Sequence, residues 1–265
     1  MAALPRTLTT AAATATATVT PDTAARALNR ARREGRRVPS TLLQPVSLRE
    51  AYAIQDATLV AIGPVGGWKV GARGPGQEPT CAPLPAAGLL PDGALLQGPA
   101  WRLRGIEVEV AFQLGADLPP RPAPYTLGDL RFAIESVLPV IEVVETRLAD
   151  WLGAGAQAQL ADLLSHGALV TGQRQPFEPG WFDLERTEAV LRFDEQIVAH
   201  TVGEHPCPDA GALLVWLANH CSARGAGLKA GQVLTSGSCT GLLFASQGTA
   251  VRVEVDGLAP LGVSF

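Results

Sequence analysis

Two stretches of this chain read as β-strands yet carry acids among their apolar residues, and no other feature restricts the fold as much. In Ile106-Glu107-Val108-Glu109-Val110-Ala111-Phe112 the period of two puts Glu107 and Glu109 on one face and Ile106, Val108 and Val110 on the other. The two carboxylates are then about 7 Å apart by strand rise. Leu138-Pro139-Val140-Ile141-Glu142-Val143-Val144 reads as a second, mostly apolar strand with a single acid inside it. Alternation alone is also what an edge strand with one solvated face would show. Glu142 fits that reading poorly, because a carboxylate inside an apolar strand is costly to bury unless it is paired or holds a cation. Three carboxylates from two neighbouring strands make a hard-oxygen set suited to Mg²⁺ or Mn²⁺, with coordination positions left for substrate oxygens. Glu145, three residues further on, points to the opposite face.

Composition narrows the class of protein. The 265 residues are 47% hydrophobic and only 17% charged, which argues for a folded chain and against disorder. With 21 basic residues against 25 acidic ones there is no clustered positive excess, so nucleic acid is excluded as the main partner. Cys81, Cys207, Cys221 and Cys239 are dispersed and fit neither a disulfide framework nor a zinc ribbon, so reduced thiols are expected. No apolar run reaches the roughly 18 to 20 residues of a membrane span, and the expectation is a soluble, cytoplasmic protein with no membrane partner.

The organisation reads as residues 1–20, an Ala/Thr-rich flexible tail; 21–98, an N-terminal helical and mixed part; and 99–265, a β-rich catalytic domain. Pro21 starts a helix that stops near Gly35, and Ser47-Leu48-Arg49-Glu50 has the spacing of a capping box ahead of a helix through Ala61. Trp68-Lys69-Val70-Gly71 is a short strand, and 73–100 reads as a Gly/Pro-rich loop. Leu127 to Val137 looks helical and His166 falls in a loop that could face a pocket. Strands pair around Asp194-Glu195, Ala210 to Arg224 is a helix, and Val233–Ser236, Ala250–Val255 and Gly262–Phe265 are strands. There is no internal repeat, no Walker loop, no dinucleotide fingerprint and no nucleophile elbow. Lys69, flanked by glycines in an apolar segment, can present a partly desolvated ammonium to an anionic substrate.

On these residues the chain resembles the 2-keto-4-pentenoate hydratase and 4-oxalocrotonate decarboxylase family of the fumarylacetoacetate hydrolase superfamily. The resemblance runs from about Ala24 to Phe265. It is carried by Gly67-Trp68-Lys69-Val70-Gly71, by the two acidic strands, by Arg147 and Trp151, by Ala161-Asp162 with Ser165 and Gly167, and by Val233-Leu234-Thr235-Ser236-Gly237-Ser238. It implies an α+β fold, a small helical N-terminal part joined to a mixed β-rich roll, and a homo-oligomer. It also implies a divalent-metal-dependent hydratase that adds water to a 2-hydroxy-2,4-dienoate to give a 4-hydroxy-2-keto acid. A 4-oxalocrotonate-type decarboxylase and a catalytically silent structural relative are the alternatives. A hydrolase ranks below them, since no histidine precedes His166 to serve the His-Glu pair such enzymes commonly use. By the same resemblance Glu107, Glu109 and Glu142 fall on metal positions and Lys69 on the active-site lysine. Lys69 and Asp162 are the candidates for proton transfer, and Ser165 and Arg147 for substrate binding. Two departures stand out: Asp162-Leu163 where the family often has Asp-Asn, and Cys81-Ala82-Pro83 where it often has Asp-Phe-Gly.

Overall fold

A computed structural model describes residues 19–45, 47–72, 74 and 76–265. The expected tail at 1–20 therefore lies almost wholly outside the described residues. Helix α1 (Pro21–Glu34) begins on Thr20, whose hydroxyl accepts from the Thr23 amide. It ends at Gly35, whose φ of 59° is the left-handed cap that a residue without Cβ adopts at little cost. Helix α2 (Leu48–Ile62) begins on Ser47, which accepts from the Glu50 amide as its spacing predicts.

The strands follow as β1 (Val65–Gly71), β2 (Thr80–Pro85), β3 (Leu89–Pro91), β4 (Ala94–Leu95) and β5 (Gly105–Leu114). Helix α3 (Leu127–Ala133) leads into β6 (Ile134–Val144), and α4 (Ala156–Ala161) precedes β7 (His166–Thr171) and β8 (Gln175–Pro176). Strands β9 (Glu188–Phe193) and β10 (Gln196–Val202) form the expected pair, α5 (Ala210–Ala223) follows, and β11 (Val233–Ser238), β12 (Leu243–Phe244), β13 (Ala250–Val255) and β14 (Leu261–Ser264) complete the chain.

Two sheets carry the fold, which is α+β as expected. The larger runs β2-β1-β11-β5-β6-β7-β3, with β12 on β5 and β8 on β6; the smaller runs β10-β9-β13-β14-β4. Strand β5 is thus central, paired antiparallel with both β11 and β6, and the edge-strand reading of Glu107 and Glu109 does not hold. Ile106, Val108, Val110 and Phe112 are fully buried in one core with Leu191, Val251 and Val253 of the smaller sheet. On the opposite face Ala111, Leu138, Val140 and Leu169 form a second apolar cluster beside the three glutamates. Leu28, Leu43, Ile54 and Leu160 join α1, α2 and α4 in a separate small core.

Three local readings are corrected. Residues 73–100 are not a loop throughout, because Cys81, Ala82 and Leu84 are fully buried in β2. Pro83 and Pro85 are compatible with a strand there because β2 is the sheet edge and pairs with β1 alone. The helix at Leu127 ends at Ala133, since from Ile134 onward the backbone joins the ladder to Leu114 and Gln113. His166 is the first residue of β7 and 1% exposed rather than in an open loop. The division at residue 98 does not follow the packing either: β1, β2 and β3 belong to the larger sheet and β4 to the smaller.

Candidate active site

The site is assembled by strand register. Glu107 of β5 stands opposite Glu142 of β6, so both project from the same face, and Glu109 follows two residues along. From two strands away Lys69 joins them: it is aligned with Thr235 of β11, which is aligned with Ala111 of β5. The Lys69 ammonium donates to Glu142 Oε1 at 3.1 Å and lies 4.0 Å from Glu107 Oε2. Glu109 is 1% exposed and accepts from the Gly237 amide at 2.9 Å. Lys69, Glu107, Glu109, Trp151, Ser165 and Thr235 line one cleft of about 640 Å³.

Negative charge exceeds positive charge at its wall. Burial, Glu107 and Glu142 push the Glu109 carboxyl up to about 7 against the pull of Lys69. Burial also raises Glu107, again opposed by Lys69. Glu142 goes the other way: its burial is outweighed by Lys69 and by His166, whose Nδ1 lies 3.0 Å from Oε1, and it stays below the usual carboxylate range. Burial acts against the Lys69 ammonium, but Glu142, Glu107 and Glu109 outweigh it and hold its pKa above that of an ordinary lysine. His166 is pushed down by burial, so its neutral ring bonds Glu142.

Among the described residues no three carboxylate, imidazole or thiolate groups converge closely enough to be metal ligands as they stand. The ammonium engages Glu142 and Glu107 while Gly237 engages Glu109. The donor set still suits a hard divalent cation: buried Glu109 and Glu142 and the partly exposed Glu107 share one lysine, and burial together with the two neighbouring carboxylates raises the Glu109 carboxyl.

Asp162 and Arg147 are not where the sequence reading puts them. Arg147 Nε donates to Asp162 Oδ1 at 2.5 Å, the Arg147 amide and the Thr146 hydroxyl donate to Oδ2 at 2.9 Å, and Arg147 Nη1 donates to the His166 carbonyl. Both side chains are buried, at 1% and 4% exposure, and neither lines the cleft. Every Asp162 lone pair facing a donor is already used, so proton transfer by Asp162 and substrate contact by Arg147 are replaced by a clamp. The clamp holds Leu163, Leu164 and Ser165, three consecutive non-glycine residues at φ of 53°, 50° and 59°. Such a left-handed turn costs roughly 1–2 kcal/mol per residue and persists only where its surroundings over-determine it. It presents Ser165 to the cleft, with the Ser165 hydroxyl accepting from Trp151 Nε1 at 2.9 Å. Thr235 was not singled out from sequence, although its fully buried hydroxyl has no hydrogen-bond partner and lines the same cleft. The departures at Leu163 and Cys81 lie outside it: Leu163 is fully buried in the turn, and Cys81 is in the core with its amide 3.4 Å from the Tyr52 hydroxyl.

No family model matches the sequence. Individual relatives do. The chain is 31% identical over 159 residues to the 2-hydroxyhexa-2,4-dienoate hydratase of Comamonas testosteroni, covering 60% of this chain and 59% of that one. It is 29% identical over 235 residues to the TodF product hydratase of Pseudomonas putida, covering 84% and 86%. The chain is thus similar in sequence to hydratases of the 2-keto-4-pentenoate type. The match spans about three-fifths of the length of the 2-keto-4-pentenoate hydratases of Dechloromonas aromatica and Paraburkholderia xenovorans as well. In fold, the chain superposes on the 4-oxalocrotonate decarboxylase of Pseudomonas putida G7, solved with magnesium and adipate, with a TM-score of 0.80 over 92% of this chain and 97% of that one at 21% identity. A fumarylacetoacetate hydrolase family protein from Yersinia pestis superposes with a TM-score of 0.58, which bears out the fumarylacetoacetate hydrolase-like fold. No helix among the described residues is long and apolar enough to cross a membrane.

Proposed function

We propose that the chain is a divalent-metal-dependent hydro-lyase that hydrates a small 2-hydroxy-2,4-dienoate to a 4-hydroxy-2-keto acid. The observation that carries this reading is that Glu107 and Glu142 converge on the one ammonium of Lys69 at the cleft wall, in a chain whose relatives are hydratases of such dienoates. Glu107, Glu109 and Glu142 would hold Mg²⁺ or Mn²⁺, which would supply Lewis acidity toward the substrate's carboxylate and 2-oxygen.

The residues of the chain supply the rest. Lys69 remains an ammonium at neutral pH, so it neutralises and orients the carboxylate end of the anion and gives a hydrogen bond to charge gathering on the 2-oxygen. In the overall reaction the 2-hydroxyl proton leaves and a proton arrives at carbon 5. Water then adds across carbons 3 and 4, with its hydroxyl at carbon 4. Thr235 and Ser165, both on the cleft wall, can position the polar end of the diene or the incoming water. Trp151 and Leu164 cover the apolar tail and exclude bulk water.

Decarboxylation of a 4-oxalocrotonate-type dicarboxylate is the second reading, favoured by the structural likeness to the decarboxylase. It would call for a cation at each end of the substrate. Among the described lining residues Lys69 is the basic one, facing Glu78 and Glu204 as well as the glutamate wall; Arg73 lies outside the described residues. That charge pattern suits a monocarboxylate. Assembly as a homo-oligomer belongs to the same reading. Parallel assays separate the two: with Mg²⁺, loss of 2-hydroxypenta-2,4-dienoate without gas release is expected. Consumption of 2-oxohex-3-enedioate with carbon dioxide release, and none of the dienoate, would establish the decarboxylase instead.

A further inference from the structure

A second cavity, of about 270 Å³, lies away from the cleft between the C-terminal end of α1, the segment Ala100–Arg102 and the start of β7. Its lining is basic. Arg32, Arg36, Arg37, Arg102 and Arg147 border it, and Glu145 is the acid among its lining residues. Glu145 is fully occupied: one oxygen accepts from Arg37 Nη2 at 2.9 Å, the other from the amides of Arg102 and Leu103 at 2.7 Å each. Arg147 is spent on Asp162, and Arg36 leans 3.6 Å from Glu34 at the rim. The Arg102 side chain donates to the Pro99 carbonyl at the exposed edge. Arg32 is the buried one left over: among the described residues its guanidinium has no ion pair, and its Nε has no hydrogen-bond partner. Burial and the neighbouring Arg147 pull it down to about 9, only partly offset by Asp162.

A second buried group points into the same space. His166 is 1% exposed, and its Nε2 has no partner and lies 3.1 Å from where a Cβ on Gly88, another lining residue, would sit. Its Nδ1 faces the carboxylate of Glu142, an acceptor only, so the proton of the neutral ring sits on Nδ1 and Nε2 is left as an acceptor. The cavity therefore offers an unpaired guanidinium and a lone acceptor. An oxyanion that also carries an O–H matches both.

We propose that this cavity is a binding site for a small hydroxylated oxyanion, hydrogenphosphate or a short hydroxycarboxylate, held by Arg32 with its O–H donated to His166 Nε2, and distinct from the Lys69 cleft. Charge-assisted bonds to guanidinium supply the affinity, and the acceptor at Nε2 selects for the hydroxyl.

The test is calorimetric titration of the full-length, chelator-treated protein with inorganic phosphate, glycolate and acetate. Expected is one site per chain for phosphate or glycolate with a Kd of about 1 mM or below, and acetate at least tenfold weaker. Arg32→Met should weaken the preferred ligand at least tenfold, while Thr235→Val, in the other cleft and without a hydrogen bond to lose, leaves it within about twofold. Should Arg32→Met fail to fold, the exposed-rim variant Arg36→Ser serves, with about threefold weakening expected from the loss of one nearby charge. The proposal is overturned if the wild type binds none of the three up to about 20 mM, the result if a second copy filled the cavity. It is equally overturned if Thr235→Val abolishes binding, or if both arginine variants bind as the wild type does.

Discussion

Glu107 and Glu142 face each other across the β5–β6 ladder, and a single ammonium, that of Lys69, lies within 4.0 Å of both. Like charges placed directly opposite in a ladder repel. The Lys69 ammonium between them offsets that repulsion within a ladder that runs from Gly105 to Gln113.

Glu107→Gln and Glu142→Gln remove one ligand charge each with little change in volume. Both should lower kcat/KM by about a thousandfold or more in the dienoate assay. Their stabilities should differ. Glu107 is partly exposed and its loss relieves repulsion, so its melting temperature should stay within a few degrees of the wild type. Glu142 is fully buried and serves both Lys69 and His166, and its replacement should cost about 3 kcal/mol by urea unfolding.

Lys69→Met keeps the length and loses the charge. Turnover should fall by at least about a hundredfold, chiefly in kcat, because the hydrogen bond to the 2-oxygen strengthens as charge develops there. A variant that raises KM alone would show that Lys69 only binds the substrate.

The raised Glu109 carboxyl makes a signed pH statement. Between the unfolded value near 4.5 and the folded value of about 7, the native protein without added metal binds more protons than the unfolded chain, so this group's contribution to stability falls as pH rises through that window. Glu109→Gln removes the titration. The stability of the variant relative to the wild type should therefore grow from pH 5 to pH 7 and level off above about pH 8. A difference that stays flat over that range would contradict the charge excess described for the cleft.

Asp162→Asn leaves the shape of the clamp but weakens its charge-assisted bonds to Arg147. It should cost about 3 kcal/mol and release the left-handed turn at Leu163–Ser165, with a shift in Trp151 fluorescence as the bond to Ser165 is lost. Activity should fall through the loss of Ser165 placement, and the pH profile should not move. Loss of an ionisation from the profile would restore Asp162 as a proton-transfer group.

Much of the site's outline was legible in the sequence because it is written in strand period. Two acids at i and i+2, and a third inside an apolar run, fix a shared face once the two strands are neighbours, and Ser-x-x-Glu and Gly35 fix the helix ends. What could not be read was long-range. Arg147 and Asp162 are polar residues 15 positions apart, and only the fold shows that they are spent on each other. The buried edge strand Thr80–Pro85 was hidden by its prolines, which are normally evidence against a strand and are tolerated here by its edge position. Thr235 became visible only through its register with Lys69.

The most direct measurement is the rate of 2-hydroxypenta-2,4-dienoate loss as Mg²⁺ is titrated into chelator-treated wild type and Glu142→Gln in parallel. A saturable rise in the wild type and none in Glu142→Gln is expected. An undiminished rate in excess chelator, or the same magnesium-dependent rise in the variant, would contradict a catalytic centre built on Glu107, Glu109, Glu142 and Lys69.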